Sequence, residues 1–134
     1  MADRKTARKA LAALLLANVS DLVAVYDHET VDFGGRSPVA MIYSDGTAPG
    51  PAETFAAHAR QHALMIALWW RRTDGAATED YMDDLSAAVL TVLEANDETV
   101  NWDRLWVDDT FSETGYPILD GQMYRAEFIR VILW

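Results

Sequence analysis

The chain has 134 residues, 51% of them hydrophobic, which is enough for a single domain with its own core. It contains no cysteine, so disulfide bonds, thiolate metal sites and cysteine nucleophiles are excluded. The formal net charge is −10, and such an acidic surface repels phosphates, which argues against a protein that wraps nucleic acid.

The first element is a helix over residues 2–20, which the spacing of its apolar residues and a capping Asp3 predict. Its first turns carry Arg4, Lys5, Arg8 and Lys9, although positive charge is unfavourable at the positive end of the helix dipole. Either an anionic neighbour, such as another subunit, offsets this cost, or the basic end is simply solvated.

Short strands are predicted at residues 21–26 and 39–44, and the glycine- and proline-rich residues 27–38 and 45–53 are predicted as loops. Residues 54–73 have apolar side chains at both helical and strand spacing. We favour a long strand from about residue 56 to 71, because its second half is rich in β-forming residues. The longest apolar run, at residues 10–19, is too short to span a bilayer, so no membrane partner is expected.

A second helix is predicted over residues 77–96, with Thr78 as its N-cap, an apolar stripe that includes Tyr81 and Ala88, and Asn96 as its stop. A strand at 103–111 follows, then a hairpin at the Asp-Gly pair 120–121 and a last strand from residue 122 to the end. The order predicts an α+β domain over residues 1–134, a mostly antiparallel sheet with both helices packed on one face.

No catalytic motif is found in the sequence. His58 and His62 would share a face on a helix but lie about 13 Å apart on a strand, too far to bind one ion. The pairs Asp83–Asp84 and Asp108–Asp109 are adjacent residues, which do not face each other on a helix or a strand. We therefore expect neither an enzyme nor a bound metal or cofactor.

The segment Trp69, Trp70, Arg71 and Arg72 combines the residue types most enriched at binding hot spots. Adjacent strand residues face opposite sides of a sheet, so one of the two tryptophans is expected to lack easy access to the core. The last four residues, ending at Trp134, are apolar on both faces. The predicted subunit or partner interface therefore consists of Trp69, Trp70, Arg71, Arg72 and Trp134. The alternative is that the tryptophans pack in the core.

The whole chain resembles the tail terminator (tail completion) proteins of lambda-like, long-tailed bacteriophages. The resemblance rests on the first helix before "DLVAVY", the strand and loop "SPVAMIYSDG", the strand ending "LWWRR", the helix "TEDYMDDLSAAVLTVLE" and the final strand after "DG". It implies an α+β subunit without catalytic activity. Such subunits form a ring, commonly hexameric, on the last ring of the tail tube.

The resemblance also implies a role in the virion, at the head-proximal end of the tail, after assembly in the host cytoplasm. The ring would stop tube polymerisation, bind tail tube protein and offer a surface to the head–tail connector, with DNA passing through its channel. We expect acids in or beside loops to face that channel: Asp27, Glu29, Asp32, Asp108 and Asp109. The alternatives are another neck or connector protein, or a small α+β ligand-binding domain or enzyme.

Overall fold

The computed structural model describes residues 3–49, 60–72, 75–108, 113–119 and 121–134, and it has the predicted α+β architecture. Within these residues lie two helices and seven strands. They are α1 (Arg4–Asn18), β1 (Ala24–Tyr26), β2 (Val39–Pro49), β3 (Arg60–Arg71), α2 (Gly75–Ala95), β4 (Leu105–Val107), β5 (Glu113–Gly115), β6 (Ile118–Leu119) and β7 (Gln122–Leu133).

The sheet is built around three long strands, β2, β3 and β7, which are 11, 12 and 12 residues long. Its order is β1-β2-β3-β7-β4, and the short strands β5 and β6 also pair with β7. All pairs are antiparallel except β1 with β2, which are parallel. The sheet is therefore mostly antiparallel, with β3 at its centre.

Both helices pack on the same face of the sheet, as the element order predicts. α1 lies over β1 and β2, and α2 lies over β3, β4 and β7. The Asp3 carboxylate caps α1 by accepting a 3.0 Å hydrogen bond from the Thr6 N–H. The main core lies between helices and sheet, and its largest fully buried members are Leu11, Leu15, Ile42, Leu64, Ile66, Leu68, Met82, Leu85, Val89, Leu93 and Leu133.

The opposite face of the sheet has a second, smaller core. Residues 27–38 bring Phe33 onto this face, where it packs with Val39, Met41, Ala67 and Tyr124. Phe33 is only 3% exposed. The central strands are thus covered on both faces near this end of the sheet, which explains why β3 is apolar at successive positions.

The predicted loop at 45–53 is wrong as far as Pro49, because β2 continues to that residue and pairs with β3 up to Arg60. The strand accommodates the turn-like sequence through a shift in register between Ser44 and Thr47. Gly46 lies within the shift at a φ of 110°, a conformation that side-chain-bearing residues rarely adopt. Residues 50–53 lie outside the described residues.

The second helix begins earlier than predicted, at Gly75, and Thr78 is not its N-cap but a buried residue inside it. The buried stripe is also rotated from the predicted one. It contains Met82 in place of Tyr81, while Ala88 is exposed. Tyr81 lies at the flank of this stripe, where its ring stacks on Trp70.

Other predictions are confirmed. Residues 60–71 form a strand, so the helical alternative for 54–73 is wrong there, while His58 lies outside the described residues. The second helix ends at Ala95, just before Asn96. The hairpin turns at Gly121, whose φ of 76° suits glycine. Two predictions are wrong in detail: among the described residues the fourth predicted strand covers only Leu105–Val107, and four strands follow α2 instead of two or three. No helix in the described part of the chain is both long and apolar enough to cross a membrane.

The centre of the core provides the first test. Ile66 is fully buried in β3, between strands and helices, so Ile66→Ala should lower the free energy of unfolding by roughly 2–5 kcal/mol. Val100 is fully exposed, and Val100→Ala should have almost no effect. Urea unfolding of both variants checks the prediction, and equal losses of stability would contradict the described core.

Candidate assembly surface

The segment Trp69–Arg72 lies at one end of the sheet, where several elements meet. β3 ends at Arg71, opposite Tyr124 near the start of β7. Residues 27–38 approach from β1, and α2 begins a few residues later at Gly75. The hairpin of β6 and β7 completes this end.

The two tryptophans face opposite sides of the sheet, as predicted, but both pack within the chain. The Trp69 ring centre lies 5.1 Å from that of Phe33 and 5.7 Å from that of Tyr124. Trp70 stacks on Tyr81 of α2 at 4.0 Å. The expectation that one tryptophan lacks a core partner is wrong, because the second face of the sheet has a core of its own.

The two arginines are exposed, and each has a contact to a neighbouring segment. The Arg71 N–H donates to Ser37 Oγ at 2.9 Å, and its guanidinium donates to the carbonyl oxygen of Gly35 at 3.1 Å. The Arg72 guanidinium lies 5.0 Å from the ring centre of Tyr116 and 2.9 Å from Met123 Sδ. The arginines thus hold the loop and the hairpin beside the end of β3.

Beneath Tyr116 lies a buried arginine that joins β7 to α2. Arg125 is 5% exposed and donates to both carboxylate oxygens of Glu79, at 2.9 and 3.2 Å. The Tyr116 hydroxyl donates to the same carboxylate at 2.9 Å. These hydrogen bonds, chiefly that from Arg125, hold the pKa of Glu79 at about 2.

Glu127, two residues further along β7, is in the opposite situation. Its carboxylate accepts a 3.3 Å hydrogen bond from Ser86 Oγ, and its other oxygen is buried without a partner. Burial raises its pKa despite the attraction of Arg125. We did not predict this network, although the pattern of β7 carried a signal, since Arg125 and Glu127 share a face with the apolar Ile129 and Val131.

Exposed apolar side chains lie at the same end of the sheet. Val31 is 70% exposed, Ile118 64% and Tyr116 50%. Between residues 31–35 and the hairpin is a groove of about 310 Å³, with Arg71 in its lining. We call the exposed side chains Val31, Arg71, Arg72, Tyr116 and Ile118 the strand-end surface.

Trp134 lies at the other end of the sheet, because its neighbour Leu133 pairs with His62. It packs edge-to-face on Trp106, with ring centres 4.8 Å apart. Ile132, on the same face, is only 9% exposed. Much of the apolar end of the last strand is therefore covered within the chain, and its apolar residues do not by themselves indicate a neighbouring subunit. The five predicted interface residues do not form one continuous surface.

The predicted channel acids are also divided. Asp27, Glu29 and Asp32 lie in one loop, but Asp108 follows β4 at the opposite edge of the sheet, and Asp109 lies outside the described residues. Asp27 is 2.9 Å from His28 and 2.8 Å from Lys9, and its hydrogen bonds to them lower its pKa to about 2.

Asp108 is paired as well. It accepts a 2.6 Å hydrogen bond from Arg130, which also donates to Asp45 at 2.8 Å. The Asp108 side chain is 15% exposed. Glu29 and Asp32 are exposed, and Asp32 accepts a hydrogen bond from the Gly34 N–H. Glu29 and Asp32 are the predicted acids best placed to meet solvent.

Within the described residues, no group of three or more acidic or histidine side chains could hold a metal ion. No protein-family model matches this chain, and no curated protein is significantly similar to it. The resemblance to tail terminators therefore stays a prediction from the residue patterns.

We expect opposite changes in stability when Glu79 and Glu127, the two glutamates near Arg125, are neutralised. In the unfolded chain Glu79 has its usual pKa of 4.5, whereas in the folded chain its pKa is about 2. The stability that the charged Glu79 contributes is therefore lost as the pH falls from about 4.5 to about 2. Glu79→Gln should lower stability at neutral pH and flatten that dependence. Because the folded pKa of Glu127 is raised, its contribution to stability falls as the pH rises, so Glu127→Gln should increase stability at neutral pH.

Unfolding free energies of both variants at neutral and acidic pH provide the measurement. The gain from Glu127→Gln should shrink as the pH falls, since the protonated glutamate is also neutral. Loss of stability in both variants at neutral pH would show that Glu127 is well satisfied as an anion.

Proposed function

We propose that this chain is a structural virion protein of the tail terminator type. It forms a ring on the head-proximal end of the phage tail tube, stops tube polymerisation and offers a surface for the head–tail connector. The observation that carries the proposal is the strand-end surface, where exposed apolar side chains and two arginines lie at one end of the sheet of a well-packed subunit. Such a combination is typical of protein–protein contacts.

The fold supports the proposal in a general way. A mostly antiparallel sheet with two helices on one face is the subunit architecture that the resemblance implies. The long strands β2, β3 and β7 form the centre of the sheet, and short segments at both of its ends can contact other proteins. A ring of identical subunits, hexameric in the family it resembles, would repeat each surface around the axis.

The arginines of the strand-end surface suit an acidic protein that contacts copies of itself. The guanidinium is planar and can pair with a carboxylate through two hydrogen bonds. The chain carries 21 acids against 11 lysines and arginines, so acceptors for such pairs are abundant on neighbouring copies. Tail tube protein is the second partner proposed for this surface.

For the channel we propose Glu29 and Asp32 as the principal DNA-facing acids. Both are exposed, whereas the charges of Asp27 and Asp108 are largely offset by Lys9 and Arg130. A ring multiplies each unpaired charge by the number of subunits, and like charges keep DNA phosphates from binding while DNA passes.

Electron microscopy of tail tubes incubated with the protein tests the assembly. We expect a ring at one end of each tube, and fewer capped tubes with Arg71→Ala/Arg72→Ala or Ile118→Ser. Val100→Ser, at an exposed apolar residue outside the strand-end surface, is the matched control and should cap normally. Thermal unfolding verifies that the variants remain folded. Normal capping by both test variants would remove the strand-end surface from the interface, and binding to the connector without any binding to tubes would favour another neck protein.

DNA binding by the assembled ring tests the channel. At low ionic strength the unmodified ring should bind duplex DNA weakly, and Glu29→Lys should increase binding because it reverses one charge per subunit. Asp84→Lys, on the exposed side of α2, changes the net charge equally and should have a smaller effect. Tight binding by the unmodified ring would point instead to a neck component that grips DNA.

A further inference from the structure

Each helix carries charges of one sign. α1 contains four bases and no acid, whereas α2 contains five acids and no base. α1 lies over β1 at one edge of the sheet, and α2 lies over β4 at the other. One edge of the subunit is therefore basic on its helical side, and the opposite edge is acidic.

The charges at two helix ends are also of the unfavourable sign. The first turn of α1 has no acid and begins with Arg4 and Lys5, beside the positive end of the helix dipole. The last turn of α2 has no base and contains Glu94, and Asp97 and Glu98 follow it, beside the negative end. The capping Asp3 offsets part of this cost at α1, but Arg4 and Lys5 remain unfavourable there, and each helix end would be stabilised by contact with the other.

A groove of about 320 Å³ opens between the end of α2 and β4. Its apolar lining includes Leu93, Leu105 and Trp106, and the acidic residues Glu94 and Asp97 also line it. Arg104 also lines it, but its guanidinium lies 3.6 Å from the Glu98 carboxylate. A lysine side chain fits this lining, because its aliphatic part can pack on the apolar wall while its ammonium group lies beside the acidic residues.

The start of α1 and this groove lie at the same end of the sheet. Asp3 is within electrostatic reach of His62, which pairs with Leu133. Leu133 pairs on its other side with Leu105 of the groove. Two copies can be placed side by side with their strands in the same direction, the β1 edge of one against the β4 edge of the other. The basic start of α1 in one copy would then lie next to the groove of the other.

We propose that the groove receives the basic start of α1 from a second copy of this chain, with Lys5 as the side chain that enters it. Lys5 is exposed and lies one turn before Lys9, which reaches Asp27 beside the edge strand β1. The contact joins two different surfaces of the subunit, so it is heterologous and can close into a ring. The inference rests on the proposed ring and adds how neighbouring subunits meet.

Charge reversal separates this contact from ordinary stability effects. Lys5→Glu and Glu94→Lys each place the favourable sign at a helix end, so each should raise the thermal stability of the monomer. Each should nevertheless weaken self-association by about tenfold or more, because like charges then meet across the contact. The double variant Lys5→Glu/Glu94→Lys restores opposite charges and should recover most of the association.

The matched controls reverse exposed charges away from the contact. Arg36→Glu changes the net charge as Lys5→Glu does, and Asp84→Lys changes it as Glu94→Lys does. Neither should alter association as strongly. Sedimentation of the full chain across a range of concentrations, and ring counts on tail tubes, provide the measurements.

A second measurement uses the absence of cysteine from the chain. A mixture of Lys5→Cys and Glu94→Cys proteins should form intermolecular disulfides under mild oxidation, and a mixture of Lys5→Cys and Asp84→Cys should form far fewer. Three results would overturn this contact if the native chain still forms rings. They are unchanged association in both reversal variants, failure of the double variant to recover association, and equal cross-linking in the two mixtures. A native chain that never associates, alone or on tubes, would overturn the proposed ring as well.

Discussion

The pairing of β3 with β2 on one side and with β7 on the other determines the arrangement of this molecule. Successive side chains of a strand point to opposite faces, and β3 is apolar on both. Each face therefore needs a cover that excludes water. The two helices provide it on one face, and Phe33 with its aromatic neighbours provides it on part of the other. Burial of these side chains is the main source of stability.

Two buried or half-buried arginines lie on opposite faces of β7. Arg125 faces α2 and binds Glu79, and Arg130 faces the other side and binds Asp45 and Asp108. Desolvation offsets much of the gain from such pairs, so their net contribution to stability is modest. Their effect on register is larger, because a slip of one residue would exchange the two faces and leave both guanidiniums without their carboxylates.

The distribution of charge gives the subunit a direction. Bases are concentrated on α1 at one edge, acids on α2 at the other, and the exposed apolar side chains of the strand-end surface lie at one end of the sheet. Copies of a subunit with such polarity associate head to tail more readily than by a twofold contact, since a twofold contact on one edge would bring like charges together. The proposed ring and the direction of charge are consistent with each other.

The sequence by itself determined the α+β class, the two helices and the terminal hairpin, because each depends on local periodicity, capping or turn residues. It favoured a strand at 60–71 without excluding a helix there, and the pairing with β2 and β7 decided between them. The separation of positive and negative charge along the chain was also visible in it. Only the tertiary structure decided that β2 continues through Gly46 to Pro49, that both Trp69 and Trp70 have core partners, and that Asp108 is neutralised by Arg130. These outcomes depend on segments far apart in sequence, such as Phe33 against Tyr124 or Asp45 near Arg130, and local patterns carry no information about which distant residue arrives as the partner.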